Sequence, residues 1–330
     1  MLASFYVLAY NHEKLIADAI KAALAQTYTP LQIVVSDDCS TDATWEIIQQ
    51  TVANYKGPHS LILRRNSTNL GISCHINAVW AVCSGEWIFA SAGDDVSSPE
   101  RVEKVMSVVG KNNNIKLALS WLRETDEHDR FLYMNKLGVE SVVGDAALFT
   151  ILDRFTERTY VQHGAAMAYS REIADFFGPL PNGVIFEDDI INIRGELLGS
   201  VGVLPLPLVN HRNHKGQVTQ TLVDISDRTR EERRAMRLLS AINSRNQNLE
   251  DVKTVESLPE DIRKGLLQRF AAELLKETKV RDAVIGCWPL KLLSLVGVIR
   301  GYSINIFSND DLMRAFLPYF LYRFFRRVRG

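Results

Sequence analysis

Cysteine is scarce and dispersed in this chain. Its 330 residues hold four, Cys39, Cys74, Cys83 and Cys287, and no two form a C-x-x-C pair. That spacing argues against a structural zinc site and fits a reducing, cytosolic setting. Long apolar runs are missing too. No window reaches the about 18 uninterrupted apolar residues of a spanning helix, so none is expected; Leu290 to Ile299 is apolar but too short. No charged segment precedes an apolar core at the N-terminus. A strand-like run, Ala3-Ser4-Phe5-Tyr6-Val7-Leu8, begins almost at once, so a secretory signal is not expected. Charge of one sign is not in excess: the formal net charge is −1, which argues against a nucleic-acid partner. There is neither an internal repeat nor a low-complexity segment.

What is present is an ordinary globular composition, 46% hydrophobic and 23% charged. At 37.2 kDa the chain exceeds the usual single domain, so one large domain with an appendage is expected. Residues 3 to 121 alternate short apolar runs with amphipathic segments. Strands are expected at Ala3 to Ala9, Leu31 to Val35, Leu61 to Leu63, Trp87 to Ala90 and Leu117 to Trp121. Helices are expected over 13 to 26, Thr44 to Ala53 and His75 to Cys83, and a further one starting at Ser98-Pro99-Glu100, with Ser as N-cap and Pro in the first turn. This alternation predicts an α/β fold with a largely parallel sheet covered by helices. Ala165 to Tyr169 and Val201 to Leu208 read as later strands, and Ile190 to Leu198 as a short helix. After about residue 222 the texture becomes helical and rich in Arg, Glu, Leu and Ala, with no strand signal until Tyr302 to Phe307. The expected division is therefore 1–221 and 222–330.

Four Asp-Asp pairs follow apolar runs: Asp37-Asp38, Asp94-Asp95, Asp188-Asp189 and Asp310-Asp311. Carboxylates at the ends of buried strands are where an α/β sheet meets a polar ligand. Adjacent acids repel, so each pair needs solvent, a cation or hydrogen-bond donors to stay ionised. Around Asp37-Asp38, the following Ser40, Thr41 and Asp42 can cap the next helix, while a neighbouring carboxylate accepts from a base or ribose; the two roles are compatible. Asp94-Asp95 follows Gly93, and Ser98-Pro99 already supplies a helix start. That leaves two acids that suit Mg²⁺ or Mn²⁺ shared with phosphate oxygens. Glu187-Asp188-Asp189 is either favourable charge at a helix N-terminus or a general base. His211, Arg212 and His214 stand together at a strand end, a set suited to diphosphate or metal contact. Asp310-Asp311 precedes a helix-like pattern and is explained by capping.

In this order, the motifs resemble family 2 glycosyltransferases of the GT-A fold. The string runs Ala9-Tyr10-Asn11, Gln26-Thr27-Tyr28, Ile33 to Asp42, Asn69-Leu70-Gly71, Asn77, Gly85-Glu86, Gly93-Asp94-Asp95 and Pro99. Later come His163-Gly164, Glu187-Asp188, Arg194 and His211 to His214. The resemblance covers about residues 1 to 220. It implies a Rossmann-like mixed sheet flanked by helices, with a C-terminal, mainly helical region. It also implies a nucleotide-diphospho-sugar donor, a divalent metal (Mn²⁺ or Mg²⁺) and an inverting transfer to a hydroxyl of a glycan or lipid-linked glycan in bacterial polysaccharide assembly. Ala9, Tyr10, Asn11, Asp38, Asn69, Gly71, Asn77 and Asp94 then fall on the nucleotide side. Asp94, Asp95 and His214 fall on the metal, and Asp188 is the base with Glu187 its neighbour. One departure is plain: Ala92 stands where many members carry an acid.

Two other readings fit parts of the chain. A sugar nucleotidyltransferase would want a Gly-rich loop after the first strand, and Tyr10-Asn11-His12-Glu13-Lys14 has no glycine. A non-catalytic nucleotide-sugar-binding protein is consistent with Ala92. At the other end, Leu312 to Gly330 carries five arginines, eight Phe, Tyr and Leu residues from Phe316 to Phe325, and no acid. This segment reads as an interfacial helix for an anionic membrane surface, which would place the protein at the inner face of the cell membrane; packing on the protein is the plainer reading.

Overall fold

The computed structural model describes residues 1–285 except 143, 157–158, 215–216 and 218–226. Cys287, the strand expected at Tyr302 to Phe307, Asp310-Asp311 and the basic aromatic segment 312–330 lie outside the described residues. The chain divides into two compact units, the first being Met1–Gln220 with Thr254–Ser257. The described part of the second consists of two long helices.

The first unit opens with β1 (Ala3–Ala9), α1 (Ile16–Leu24), β2 (Leu31–Asp37), α2 (Thr44–Val52), β3 (Ser60–Arg65), α3 (Ile72–Trp80) and β4 (Trp87–Ala92). Strands β3, β2, β1 and β4 lie side by side and parallel. Their residues alternate between two cores, as a sheet covered on both faces requires. Phe5, Val7, Ile33, Val35 and Phe89 enter one core with Ile16, Ala19, Ile20 and Ala23 of α1. Tyr6, Val34 and Ile88 enter the other with Ile76, Val79 and Trp80 of α3. Each of these large side chains is worth about 1.5–3 kcal/mol when fully removed from water.

The second half departs from the largely parallel expectation. After β5 (Val96–Ser97) and α4 (Arg101–Val109) come β6 (Ile115–Asp126), β7 (Phe131–Asn135), β8 (Ala147–Thr150), β9 (Met167–Ser170), α5 (Glu172–Phe177), α6 (Glu187–Leu198) and β10 (Ser200–Asn213). Strand β9 wedges between β4 and β6 and is antiparallel to both. Strand β10 runs parallel to β6, while β5 and β8 pair with β10 antiparallel. The sheet is therefore mixed, as the family resemblance implies. Strands β5, β7 and β8 have no clear sequence signal: β5 is two residues long, and Phe131, Leu132 and Tyr133 of β7 are all exposed.

Several helix starts differ from expectation; α1, expected from residue 13, begins at Ile16. Helix α3 begins three residues early, at Ile72, because Gly71 takes a positive φ of 75° just before it. Helix α4 begins at Arg101, since the Ser98 hydroxyl donates to Glu100 Oε2 (2.6 Å) instead of capping the backbone. Helix α6 starts with the three acids inside its first turn, not ahead of it. It sits close on β6 through Gly195, where a Cβ would stand 2.8 Å from Leu117 Cβ.

The second unit holds α7 (Asp227–Thr254) and α8 (Glu260–Ile285). An ion pair, Arg245 Nε to Glu273 Oε2 at 3.0 Å, joins them. Among the described residues, Cys39, Cys74 and Cys83 are free thiols. No described helix is long and apolar enough to cross a membrane.

Candidate active site

Register brings three strand ends to one edge: Ala9 of β1 lies beside Asp37 of β2, and Leu8 beside Ala92 of β4. The loops that follow are stitched together by hydrogen bonds. Asn11, at φ 55°, receives the Thr41 N–H on Oδ1 (2.9 Å) and donates its own N–H to Ser40 Oγ (2.9 Å). The Asp37 carboxylate accepts from Ser40 and pairs with Arg65 Nε (3.0 Å). Asp37 is therefore the turn-forming member of its pair.

Asp38 is the receiving member. Its Oδ1 accepts from Asn66 Nδ2 (2.6 Å) and Leu70 N (2.9 Å), and its Oδ2 from Gly71 N (3.0 Å). A carboxylate has about four lone-pair sites, so one remains for a ligand N–H or O–H. Asn69 Oδ1 also accepts from Gly71 N (3.1 Å). Asn77 does something other than face a nucleotide: its amide donates to Leu180 O (2.8 Å) and accepts Leu180 N (2.8 Å), pinning the 180 loop to α3. Tyr10 is exposed, and Ala9 contributes its carbonyl to Asp38 N (2.9 Å).

Strand β5 brings the end of β10 over Asp94-Asp95, through the pairing of Val96 with Asn210. The two acids then face different ways. Asp94 Oδ2 lies 2.9 Å from His214 Nε2 and 4.0 Å from His12 Nε2. Burial works against its charge, but the His214 hydrogen bond and the two imidazoles hold the carboxyl below its usual range. Asp95 Oδ1 accepts the Arg212 N–H (3.2 Å). Burial and the neighbouring Asp94 push Asp95 up to about 7, against the pull of His211 and Arg101. Gly93 has no positive φ: a Cβ there would stand 2.6 Å from His12 Nδ1, so the glycine makes room for His12.

The strand-end pair of histidines splits. His214 joins Asp94, whereas His211 lies opposite Glu124 in the β6–β10 register and bonds it from Nδ1 to Oε2 (2.7 Å). Arg212 points to the other side of the strand, where Asp129 holds it at 2.6 and 2.7 Å and Asp18 at 3.1 Å. Its Nε and Nη2 are thus engaged by carboxylates. Burial opposes charge on Glu124, but His211, Asn135 and Asn213 bring its carboxyl down to about 2. Burial likewise opposes charge on His211, yet Glu124 and the two aspartates raise it to about 9. His163 packs edge-on against His211, with ring centroids 4.5 Å apart, and burial plus that cation lower it to about 4.

Because β9 is antiparallel, its start lies beside the carboxyl ends of β4 and β6, which places His163 and Gly164 at the site. The first turn of α6 meets Gly164 there: a Cβ on Gly164 would be 3.2 Å from Glu187 Oε1. Burial and the charge of Asp189 push Asp188 up to about 6, while the N–H groups of Asp189 and Gly164 favour its ionised form. Burial and Asp188 together push Glu187 up to about 8. Burial thus resists two adjacent charges here and holds both carboxyls above their usual range. Behind them, Arg194 is fully buried and donates to Gly178 O (2.9 Å).

Three residues at this edge have no clear sequence signal. His12 is a single histidine in a loop. Arg101 looks like a surface helix charge but is 1% exposed, bonded to Ser97 Oγ and Met167 O (both 2.9 Å) close to Asp95. Glu124 sits in a polar stretch of β6 whose partner is 87 residues away.

Known proteins share this architecture. S. aureus TarS, solved in complex with UDP-GlcNAc, superposes with a TM-score of 0.56 at 17% identity, covering 92% of this chain and 89% of its own. The mannosyltransferase PcManGT from Pyrobaculum calidifontis, solved with GDP-Man and Mn²⁺, gives 0.52 at 15%, covering 90% and 79%. At these identities the likeness is one of fold, and that fold is the GT-A type. In sequence, the glycosyltransferase EpsE of Bacillus subtilis (strain 168) is 31% identical over 118 residues, 36% of this chain and 42% of EpsE. The chain thus spans less than half of that relative. The model for "Glycosyl transferase family 2" matches residues 4–177, from β1 through α5, and this chain belongs to that family.

Proposed function

We propose that this protein is an inverting, metal-dependent glycosyltransferase that moves a sugar from a nucleotide-diphospho-sugar to a hydroxyl of a glycan acceptor. The observation that carries this reading is the pairing of two unlike acid clusters at one sheet edge. Asp94 is held ionised by imidazoles, and Asp188 is poised near neutrality by burial and a second acid. The donors named for TarS and PcManGT, UDP-GlcNAc and GDP-Man, are both nucleotide-diphospho-sugars, which supports the donor class.

In this reading the nucleoside lies over Ala9, Tyr10 and Asn11, with Asp38 accepting from the base through its remaining lone pair. Asn69 and Gly71 keep Asp38 in place, and Asn77 shapes the pocket by holding the 180 loop. Asp94 and His214 fit a divalent ion by chemistry and spacing, and His12 Nε2, 4.0 Å from Asp94 Oδ2, stands near the gap left by Ala92. Mn²⁺ or Mg²⁺ bound there would offset the charge growing on the leaving diphosphate. Asp95 joins that set more weakly, since it already receives the Arg212 N–H; its main task is to fix the end of β10.

Asp188 takes the proton from the acceptor hydroxyl as that oxygen attacks the anomeric carbon. Glu187, raised beside it by burial and by Asp188, resists a second charge at the site. One base suffices when configuration inverts, because no covalent sugar–enzyme bond forms. The division at 221 gives residues 1–221 the donor chemistry and leaves 222–330 to the acceptor side. A lipid-linked acceptor, as in bacterial polysaccharide assembly, fits the arginine- and aromatic-rich sequence of 312–330, which would hold the protein on the inner face of an anionic membrane.

A panel of nucleotide sugars with Mn²⁺, read by slow release of the nucleoside diphosphate, tests this. One donor hydrolysed above the others, and silenced by Asp188→Asn or Asp94→Asn, is expected. Hydrolysis of none would favour a non-catalytic binder, and release of pyrophosphate from a nucleoside triphosphate would favour a nucleotidyltransferase.

A further inference from the structure

A second group of ligand-type side chains is left unassigned by that reading. Glu124, His163 and His211 each offer one ligand atom, and the three atoms lie within 4.8 Å of one another. They arrive from separate elements: β6, the turn entering β9, and β10. Glu124 and His211 are register partners, so the sheet ladder itself sets their spacing. Asn135 Nδ2 donates to Glu124 Oε1 (3.0 Å) and Asn213 Nδ2 to Oε2 (2.9 Å), which fixes the carboxylate plane. His163 Nδ1 is buried and has no hydrogen-bond partner.

Packing alone gives no reason for that orphan nitrogen. A buried polar atom without a partner costs about 1–3 kcal/mol, and a rotated or apolar ring would avoid it. A metal ion bound through that nitrogen would remove the cost. Two ligand atoms about 2.1 Å from one ion stand about 3–4 Å apart across the usual coordination angles. The 2.7 Å contact between His211 and Glu124 and the third atom inside 4.8 Å bracket that range, so sub-ångström shifts would let all three share an ion. The donor set also selects the ion. Two imidazole nitrogens and one carboxylate oxygen suit Zn²⁺, Co²⁺ and similar late first-row ions, whereas Mg²⁺ and Ca²⁺ favour oxygen-only surroundings. Three protein ligands leave an open coordination position.

We propose that Glu124, His163 and His211 form a second divalent-cation site, selective for Zn²⁺ and related late first-row ions and separate from Asp94 and His214. The site lies between the two clusters already described. His163 precedes Gly164, whose N–H favours the ionised form of Asp188, and the charge of Asp95 acts on His211. An ion here ties β6, β10 and the turn entering β9 into one rigid corner and sets where Gly164 meets Asp188. The placement rests on the side chains alone and does not depend on the transfer reaction.

The test is metal counting on the full chain. The protein is stripped with chelator, equilibrated with Zn²⁺ alone, dialysed and assayed by mass spectrometry of the metal; Co²⁺ loading is followed by visible absorption. The Asp94→Asn/His214→Gln double variant is expected to keep one tightly bound Zn²⁺ per chain. His163→Gln and His211→Gln are each expected to weaken that ion at least tenfold, with circular dichroism unchanged. The wild-type chain is expected to give the intense visible bands of a low-coordinate Co²⁺ site with nitrogen ligands. The proposal falls if both single variants keep wild-type zinc, or if the double variant loses all of it. Should the single variants fail to fold, weak octahedral-type Co²⁺ absorption in the wild-type chain would overturn it equally. Loss of donor hydrolysis with zinc binding intact would sink the proposed function and leave this site standing.

Discussion

At the ends of β1 and β2, acids meet hydrogen-bond donors. Asp37 has Ser40 and Arg65; Asp38 has Asn66, Leu70 and Gly71. At the end of β4 and the start of α6, acids meet acids: Asp94 beside Asp95, and Glu187 beside Asp188 beside Asp189. The first region is a finished scaffold in which nearly every lone pair is used. The second keeps charges close together in a buried setting, which raises Asp95, Glu187 and Asp188 towards neutrality. The same dipeptide thus builds a rigid cradle where the backbone supplies N–H groups, and a proton-exchanging site where it supplies few.

The contrast can be broken by experiment, most severely at the base. Asp188→Asn is expected to lower kcat by about 10²–10⁴ with the fold intact by circular dichroism. Glu187→Gln, which keeps the shape of the side chain and removes its ionisable group, is expected to cost far less. Equal losses in the two would reverse the assignment. Asp94→Asn comes next: without that charge beside His214, a drop of about a hundredfold or more is expected, together with weaker Mn²⁺ binding by calorimetry.

On the scaffold side the outcome should change in kind. Asp38→Asn removes charged acceptance from three donors, and about 1–3 kcal/mol of donor binding is expected to go with it. It should appear as a raised KM with kcat nearly kept; a kcat collapse would show that the cradle is part of the chemistry.

Acidity sharpens the same contrast. In the proposed role Asp188 works as the ionised form, and its pKa is raised, so activity is expected to fall as pH drops through about 6, one decade per unit, rather than near an ordinary aspartate value. A log(kcat/KM) profile that stays flat down to pH 5 would contradict this. The smallest effect is mechanical: Gly195→Ala presses a methyl on Leu117 and should cost about 1–3 kcal/mol in thermal unfolding, with KM for donor unchanged.

The scaffold side was the legible side. Helix α1 shows its buried Ile16, Ala19, Ile20 and Ala23 at helical spacing, and β1 and β2 are apolar runs bounded by polar turns. The poised side was legible only where local motifs stand, at Asp94-Asp95, Asp188 and His214. Glu124 and His211 meet through a ladder that joins strands 87 residues apart, and no local pattern encodes that register. Strand β5, which delivers β10 to Asp95, is two residues long and leaves no period to read. His12 owes its place to a missing side chain at Gly93 rather than to any motif of its own.

The wedge of β9 between β4 and β6 bears on how the protein is made. Strand β4 ends at Ala92, yet its free edge waits for Met167–Ser170, and β10 adds later still. A nascent chain leaving the ribosome can complete the β3–β2–β1–β4 half early, from local crossovers, and so build the donor cradle first. In the proposed reading the base-bearing turn and His214 follow well after that half. In the same reading, a chain cut short before residue 187 would carry the donor cradle without Asp188 or His214, and synthesis itself would keep that fragment from consuming its donor.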